Sequence, residues 1–308
     1  MPYLCGVRPI FYASSYLIVL FLICLCPACK DRVSGQYAVL KIDSVSVITL
    51  TGQGNATHQI LGVQVYINNQ MIGNFELPVK IPVLVTGEKV KLDILPMVFI
   101  NGSKNAIGHL NTLKSFSDSV VFTSSKTYLL KPLFGYHNNA EFPWLEDFED
   151  GRSKKLVPIS PSPFPGDSLF IEKRPFDLNG KFAGLSTIYC VRFENIDTAK
   201  YIDIGSFDAF QNLPTDGRNI FFEFDIKTDL PVQLALSRKN TISTELIPYL
   251  LVNPTRGQWK RFYVNLVYEI AGQPSGTSFR IFFDINKPAS VIPNREILFD
   301  NLRLSYRK

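Results

Sequence analysis

The sequence predicts an all-β chain, with two β-sandwich domains behind an export leader. Three observations carry this expectation. Apolar and polar residues alternate with period two in run after run, the pattern of strands with one buried face. The 20 prolines and 19 glycines among 308 residues divide these runs with frequent turns. Beyond the leader, no stretch spaces its apolar residues at the 3.6 period of a helix. With 24 Phe, 13 Tyr and 46% hydrophobic residues, the chain has the material for two real cores.

The leader comes first. A short start carrying Arg8 precedes an apolar run from Ile10 to Cys26, and Pro27 then stops any helix. The run lies at the lower edge of what can span a bilayer, so an uncleaved anchor competes with a cleaved signal peptide. The small residue Ala28 directly before Cys29 favours cleavage. The expected division is 1–28 signal peptide, 29–35 linker, 36–137 first domain and 138–308 second domain. Of the 5 cysteines, Cys5, Cys24 and Cys26 leave with the leader, which leaves Cys29 and Cys190. If Cys29 is modified, no internal disulfide is possible. Cys190, in Ile188-Tyr-Cys-Val-Arg-Phe, reads as a buried small hydrophobe on a strand.

In the first domain, Val63, Val65 and Ile67 alternate with Gln64, Tyr66 and Asn68. Asn68-Asn69 suits the left-handed positions of a hairpin turn. Pro78 and Pro82 bracket an edge segment, Thr86-Gly87-Glu88 turns the chain, and Val90, Leu92 and Ile94 mark the next strand. Asn101-Gly102 reads as a tight turn, and Tyr128 to Leu133 as a last strand.

In the second domain, Phe222, Phe224 and Ile226 alternate with Glu223, Asp225 and Lys227, and Phe262, Val264 and Leu266 with Arg261, Tyr263 and Asn265. Each predicts one apolar face and one wet face. Pro158-Ile-Ser-Pro-Ser-Pro-Phe-Pro-Gly cannot form a central strand and reads as a surface loop or polyproline edge. Near the end, Leu298, Asp300, Leu302 and Leu304 share one parity, so Asp300 must lie at a strand end or find a partner.

Five resemblances follow from these residues. Cys26-Pro27-Ala28-Cys29 resembles a bacterial lipobox, and Lys30-Asp31-Arg32 resembles the signal that sends such lipoproteins to the cell surface. The resemblance implies lipidation (palmitate) at Cys29 and anchoring in a bacterial outer membrane by lipid. The hairpin of the first domain, from Gly62 to Pro78, resembles the PEGA or carboxypeptidase-regulatory sandwiches, which implies a structural or adhesive module. Leu145-Glu-Asp-Phe-Glu-Asp-Gly, Gln258-Trp-Lys-Arg-Phe-Tyr-Val-Asn-Leu and Ile297-Leu-Phe-Asp-Asn-Leu-Arg-Leu, in this order, resemble a galactose-binding-like jelly roll, the fold of many carbohydrate-binding modules. That resemblance implies a structural calcium, with Glu149 and Asp300 as its ligands. As a whole the chain is similar to uncharacterised two-domain lipoproteins of Bacteroidota-type bacteria.

Catalytic chemistry is absent from the motifs. His58, His109 and His137 lack zinc spacing and read as surface or turn residues. There is no nucleophile elbow, phosphate loop or dinucleotide fingerprint. The net charge of +5 is scattered, with no basic block for nucleic acid. Glu141, Glu146, Asp147, Glu149 and Asp150 crowd one loop and read better as a solvated or calcium-facing rim than as a glycosidase pair. The expectation is a non-enzymatic, membrane-anchored envelope lipoprotein that acts as a binding or scaffold module. Its alternative is a carbohydrate-binding surface lipoprotein that uses the jelly roll. The expected partners are the membrane through lipid, and a glycan or an envelope protein. Trp144, in a polar connector, is the candidate ligand-binding aromatic, or else a plug between the domains.

Overall fold

The structure, a computed structural model, describes residues 36–150, 155–159, 168–193, 200–287 and 295–308. The leader 1–28, Cys29, the linker to 35 and all but the start of the proline-rich stretch lie outside the described residues. Among the described residues, no helix is long and apolar enough to cross a membrane.

The chain is all-β. In the first module, β1 (Tyr37–Ile42) lies between β5 (Val79–Leu84), antiparallel, and β9 (Thr127–Leu130), parallel. A second sheet runs β4 (Gln70–Glu76), β3 (Gly62–Ile67), β6 (Lys89–Phe99), β7 (Ile107–His109), with β8 (Phe116–Val121) also on β6. Leu40 and Ile42 from the first sheet meet Val63, Val65, Leu92 and Ile94 from the second in one core. The β3–β4 hairpin closes through Asn68 and Asn69, with φ of 48° and 63°, as the asparagine pair predicts. The segment Tyr128 to Leu133 is not a single strand. Lys131-Pro132 interrupts it, and the chain leaves β1 to pair as β10 (Leu133–Gly135) with β2 (Ser46–Ile48).

The second module is a jelly roll of two facing sheets. One runs β13 (Ser168–Leu178), β14 (Phe182–Phe193), β21 (Arg295–Arg307), β16 (Ile220–Thr228), β19 (Lys260–Asn265), with β11 (Ala140–Glu146) on β21. The other runs β12 (Leu156–Pro158), β15 (Lys200–Ser206), β20 (Ser278–Lys287), β17 (Val232–Lys239), β18 (Thr244–Val252). Phe222, Phe224, Phe283 and Phe299 fill the space between them, with ring centroids 4.6–6.0 Å apart. The one helix among the described residues, α1 (Val267–Ile270), is a single turn.

β21 departs from the predicted parity. Asn301 takes a left-handed φ of 53° and inserts a bulge where β21 passes from pairing β14 to pairing β11. Ile297, Phe299, Leu302 and Leu304 therefore face the core. Leu298 joins a separate cluster with Phe176, Cys190 and Trp259, while Asp300 is wholly buried outside the main core. The apolar-parity reading of Asp300 fails because no sequence pattern marks a bulge.

Candidate functional site

The polar faces of β16 and β19 are not wet. Glu223, Asp225, Arg261 and Tyr263 are all buried, because the first module lies on them. The segment before β3 crosses this sheet face. Gln59 Oε1 accepts from the Arg261 amide at 3.0 Å, and the Gln59 amide donates to the Tyr263 hydroxyl at 2.8 Å. The Asn55 carbonyl accepts from Arg303 at 2.5 Å, and the Asn55 and Asn301 side chains are hydrogen-bonded. Further along the seam, the Asn101 amide donates to the Tyr263 carbonyl at 2.8 Å and extends the sheet past the edge of β19. Phe221 and Tyr263 of the second module belong to the core of the first.

Charge is balanced inside this seam. Arg261 donates to Asp225 and to Glu223 at 3.0 Å each, and Arg303 lies 3.5 Å from Glu223. Two carboxylates thus face two guanidinium groups. Burial alone would lower the pKa of Arg261, but Asp225 and Glu223 hold it well above the usual range. Burial pushes the Asp225 carboxyl up, against the pull of Arg261 and the Asn301 amide. Tyr136 accepts from Arg303, and its hydroxyl is pushed up by burial and stays neutral. His58 is not a surface residue: it is 7% exposed, with its ring edge-on to Phe182 at 5.3 Å. Burial first, then Lys181 and Arg261, lower its pKa to about 4, so the imidazole is neutral.

Two adjoining hollows open beside the seam. A cavity of about 160 Å³ lies over Gly62, between Asn74 and Glu76 on one side and Met97, Phe99 and Ile107 on the other. Gly62 has no side chain, and a Cβ there would meet the Phe75 carbonyl oxygen at 2.9 Å. The second hollow, about 270 Å³, shares Leu61 and Phe99 with the first and continues over Gln59, Phe262, Lys104 and Lys260. Its wall is shaped by the Asn101-Gly102 turn, left-handed at both residues, with Gly102 against the Phe262 ring. The result is a groove with aromatic walls, amide groups along it and two ammonium groups at the seam end. Nearby, Gln64 donates to Asn74 at 2.8 Å and accepts from Tyr66 at 2.9 Å, which fixes these polar groups in place.

The predicted site residues lie elsewhere. Trp144 is 3% exposed and stacks on Phe222 at 5.4 Å and 7°. It is a core residue of the second module, because β11 turns its parity inward, and its ring is closed to a ligand. Trp259 is buried against Phe176. Burial pushes the Cys190 thiol up to about 12, so it is no nucleophile at neutral pH. Glu149 and Asp300 do come together, at Ser186. The Ser186 hydroxyl lies 2.6 Å from Asp300 and 3.5 Å from Glu149, and Glu149 also accepts from the Thr187 amide and hydroxyl at 2.8 Å. Burial, with Asp225 nearby, pushes Asp300 up to about 8, a cost that a cation would relieve. The oxygens suit calcium by type, but among the described residues no group of three acidic, His or Cys side chains converges. Glu141 and Glu146 lie on β11 and not in a loop: Glu146 accepts from the amides of Phe148 and Lys155, and Glu141 pairs with Lys308.

The groove escaped sequence reading. Its only signals were Gly62 at a strand start and the Asn101-Gly102 turn, and neither says what faces it.

No protein-family model matches the chain, and no curated protein matches it. Among solved structures it is similar to the tandem CBM22 domains of Paenibacillus barcinonensis Xyn10C, at 11% identity over 88% of this chain and 76% of that one, with a TM-score of 0.37. It is similar to the CBM22-1–GH10 modules of Clostridium thermocellum xylanase 10B, at 13% identity over 54% and 28%, TM-score 0.36. It is also similar to TmCBM61 in complex with beta-1,4-galactotriose, at 15% over 53% and 94%, TM-score 0.28. The chain spans 19%, 28% and 26% of a Bacteriophage CBA120 tailspike protein, the xylanase and an exo-beta-agarase. At TM-scores of this size the likeness carries no functional argument.

Proposed function

We propose that this chain is a non-catalytic saccharide-binding protein, held on a bacterial outer membrane by lipid at Cys29. The observation that supports it is the groove from Gly62 to Lys260. Half-buried Phe99 and Phe262 offer apolar walls, and Asn74 and Gln59 offer amide donors and acceptors, the mixture that a sugar's apolar face and hydroxyl edge need. The groove is built on two modules that share a core, so little order has to be gained on binding. The wider frame is that of a binding or scaffold part of an envelope assembly.

A glycan array with the full chain in detergent tests the ligand. Binding to one saccharide class, lost in Phe99→Ala, supports the reading. Silence across the array overturns it and leaves the scaffold role. The tether is tested by metabolic labelling with a palmitate analogue, which should tag the wild type and miss Cys29→Ser.

Calcium at Glu149 and Asp300 belongs to the same proposal. A bound ion would draw Asp300 into its charged form and tie the loop after β11 to β14 and β21. A melting temperature that rises with calcium and falls with chelator supports it; superimposed curves overturn it.

A further inference from the structure

We propose that the saccharide taken by this groove is acidic, a uronic-acid oligosaccharide whose carboxylate lies at the seam between Lys104 and Lys260. This inference rests on the saccharide reading above and names the ligand's charge.

The charges around the groove are unevenly placed. The seam end is lined by Lys104, Lys260 and Arg261. Arg261 is paired with Asp225 and Glu223 inside the seam. Lys104 follows the Asn101-Gly102 turn of the first module, and Lys260 opens β19 of the second. Both are exposed, and among the described residues neither forms an ion pair. The acidic residue of the lining, Glu76, belongs to the far hollow, over β4. The groove thus carries two uncompensated ammonium groups at one end and a carboxylate at the other.

The apolar walls strengthen this polarity. Phe99 and Phe262 displace water beside the lysines, which raises the value of an opposite charge there. A neutral sugar would leave the two ammonium groups of this hollow without a counter-charge. A carboxylate supplies one, and the same ring's apolar face can lie on Phe99 or Phe262. Because the two lysines come from different modules, only the joined pair of modules presents this site.

The experiment is calorimetric titration of the full chain in detergent. The probes are galacturonate and mannuronate oligosaccharides, each beside its methyl-esterified, uncharged form. The acidic forms should bind about tenfold more tightly, and more weakly as salt is raised. The double variant Lys104→Gln/Lys260→Gln, altered only at exposed positions, should lose that preference and bind acids and esters alike. Esters that bind as well as the acids, or a preference that survives in the double variant, overturns the acidic assignment and leaves the saccharide reading standing. If neither acids nor esters bind, while a neutral glycan is captured on the array, the acidic assignment alone falls. If no saccharide binds at all, both readings fall.

Discussion

Arg261 shows how far a single residue's role can differ from its sequence pattern. Alternation of Phe262 and Val264 with Arg261 and Tyr263 reads as a wet strand face, yet the Arg261 side chain has no solvent exposure. Period two records which residues share a face, but not whether another module covers it. Replacing Arg261 by Met leaves Glu223 and Asp225 buried with one partner fewer, and should cost about 3–5 kcal/mol in chemical denaturation. A cost under 1 kcal/mol, the ordinary range for a surface ion pair, would mean an open face. His58 gives a second test at this scale. Its folded pKa, about 4, lies below its unfolded value of about 6.5, so the unfolded chain takes up the proton first. The stability it confers is complete above pH 6.5 and is lost as the pH falls toward 4, up to about 3 kcal/mol. His58→Phe, which keeps a ring against Phe182, should close the gap to wild type over that window. A difference between the two proteins that does not vary with pH would contradict a buried neutral imidazole.

At the scale of elements, the strands were largely legible and the joints were not. The hairpin of β3 and β4 follows from its alternation and its Asn68-Asn69 turn, both local signals. The bulge at Asn301 is a local insertion forced by pairing two different strands in turn, and a long-range pairing leaves no mark in a short window. Tyr128 to Leu133 reads as one strand, and alternation marks neither the break at Pro132 nor the change of partner from β1 to β2. The Asn101-Gly102 pair predicts a tight turn, and its meaning lies in what the turn touches. Gly102 has a φ of 67°, and a Cβ there would stand 2.7 Å from the Phe262 ring. Gly52 has a similar φ of 81° with nothing within 4 Å. Gly102→Ala should therefore destabilise more than Gly52→Ala, which bears only the backbone strain of roughly 1 kcal/mol. It should also displace Phe262 and weaken ligand binding in the groove. Equal losses in the two variants would mean that the turn does not press on the second module.

At the scale of the whole molecule, the two sandwiches are joined by a buried seam. Each module's own core was predictable from its aromatic and aliphatic content. The third set of contacts, between modules, was not, because its residues look polar one at a time. Glu223, Asp225, Arg261 and Arg303 make a neutral cluster only when folded together, and Phe221 and Tyr263 enter the first module's core from the second. The groove is a consequence of that union, since Phe99 and Lys104 come from one module and Lys260 and Phe262 from the other. Scanning calorimetry of the full chain in detergent tests this union most directly. One transition is expected, with calorimetric and van't Hoff enthalpies equal, shifted as a whole to lower temperature by Arg261→Met. Two resolved transitions, with one of them unmoved by that substitution, would contradict it.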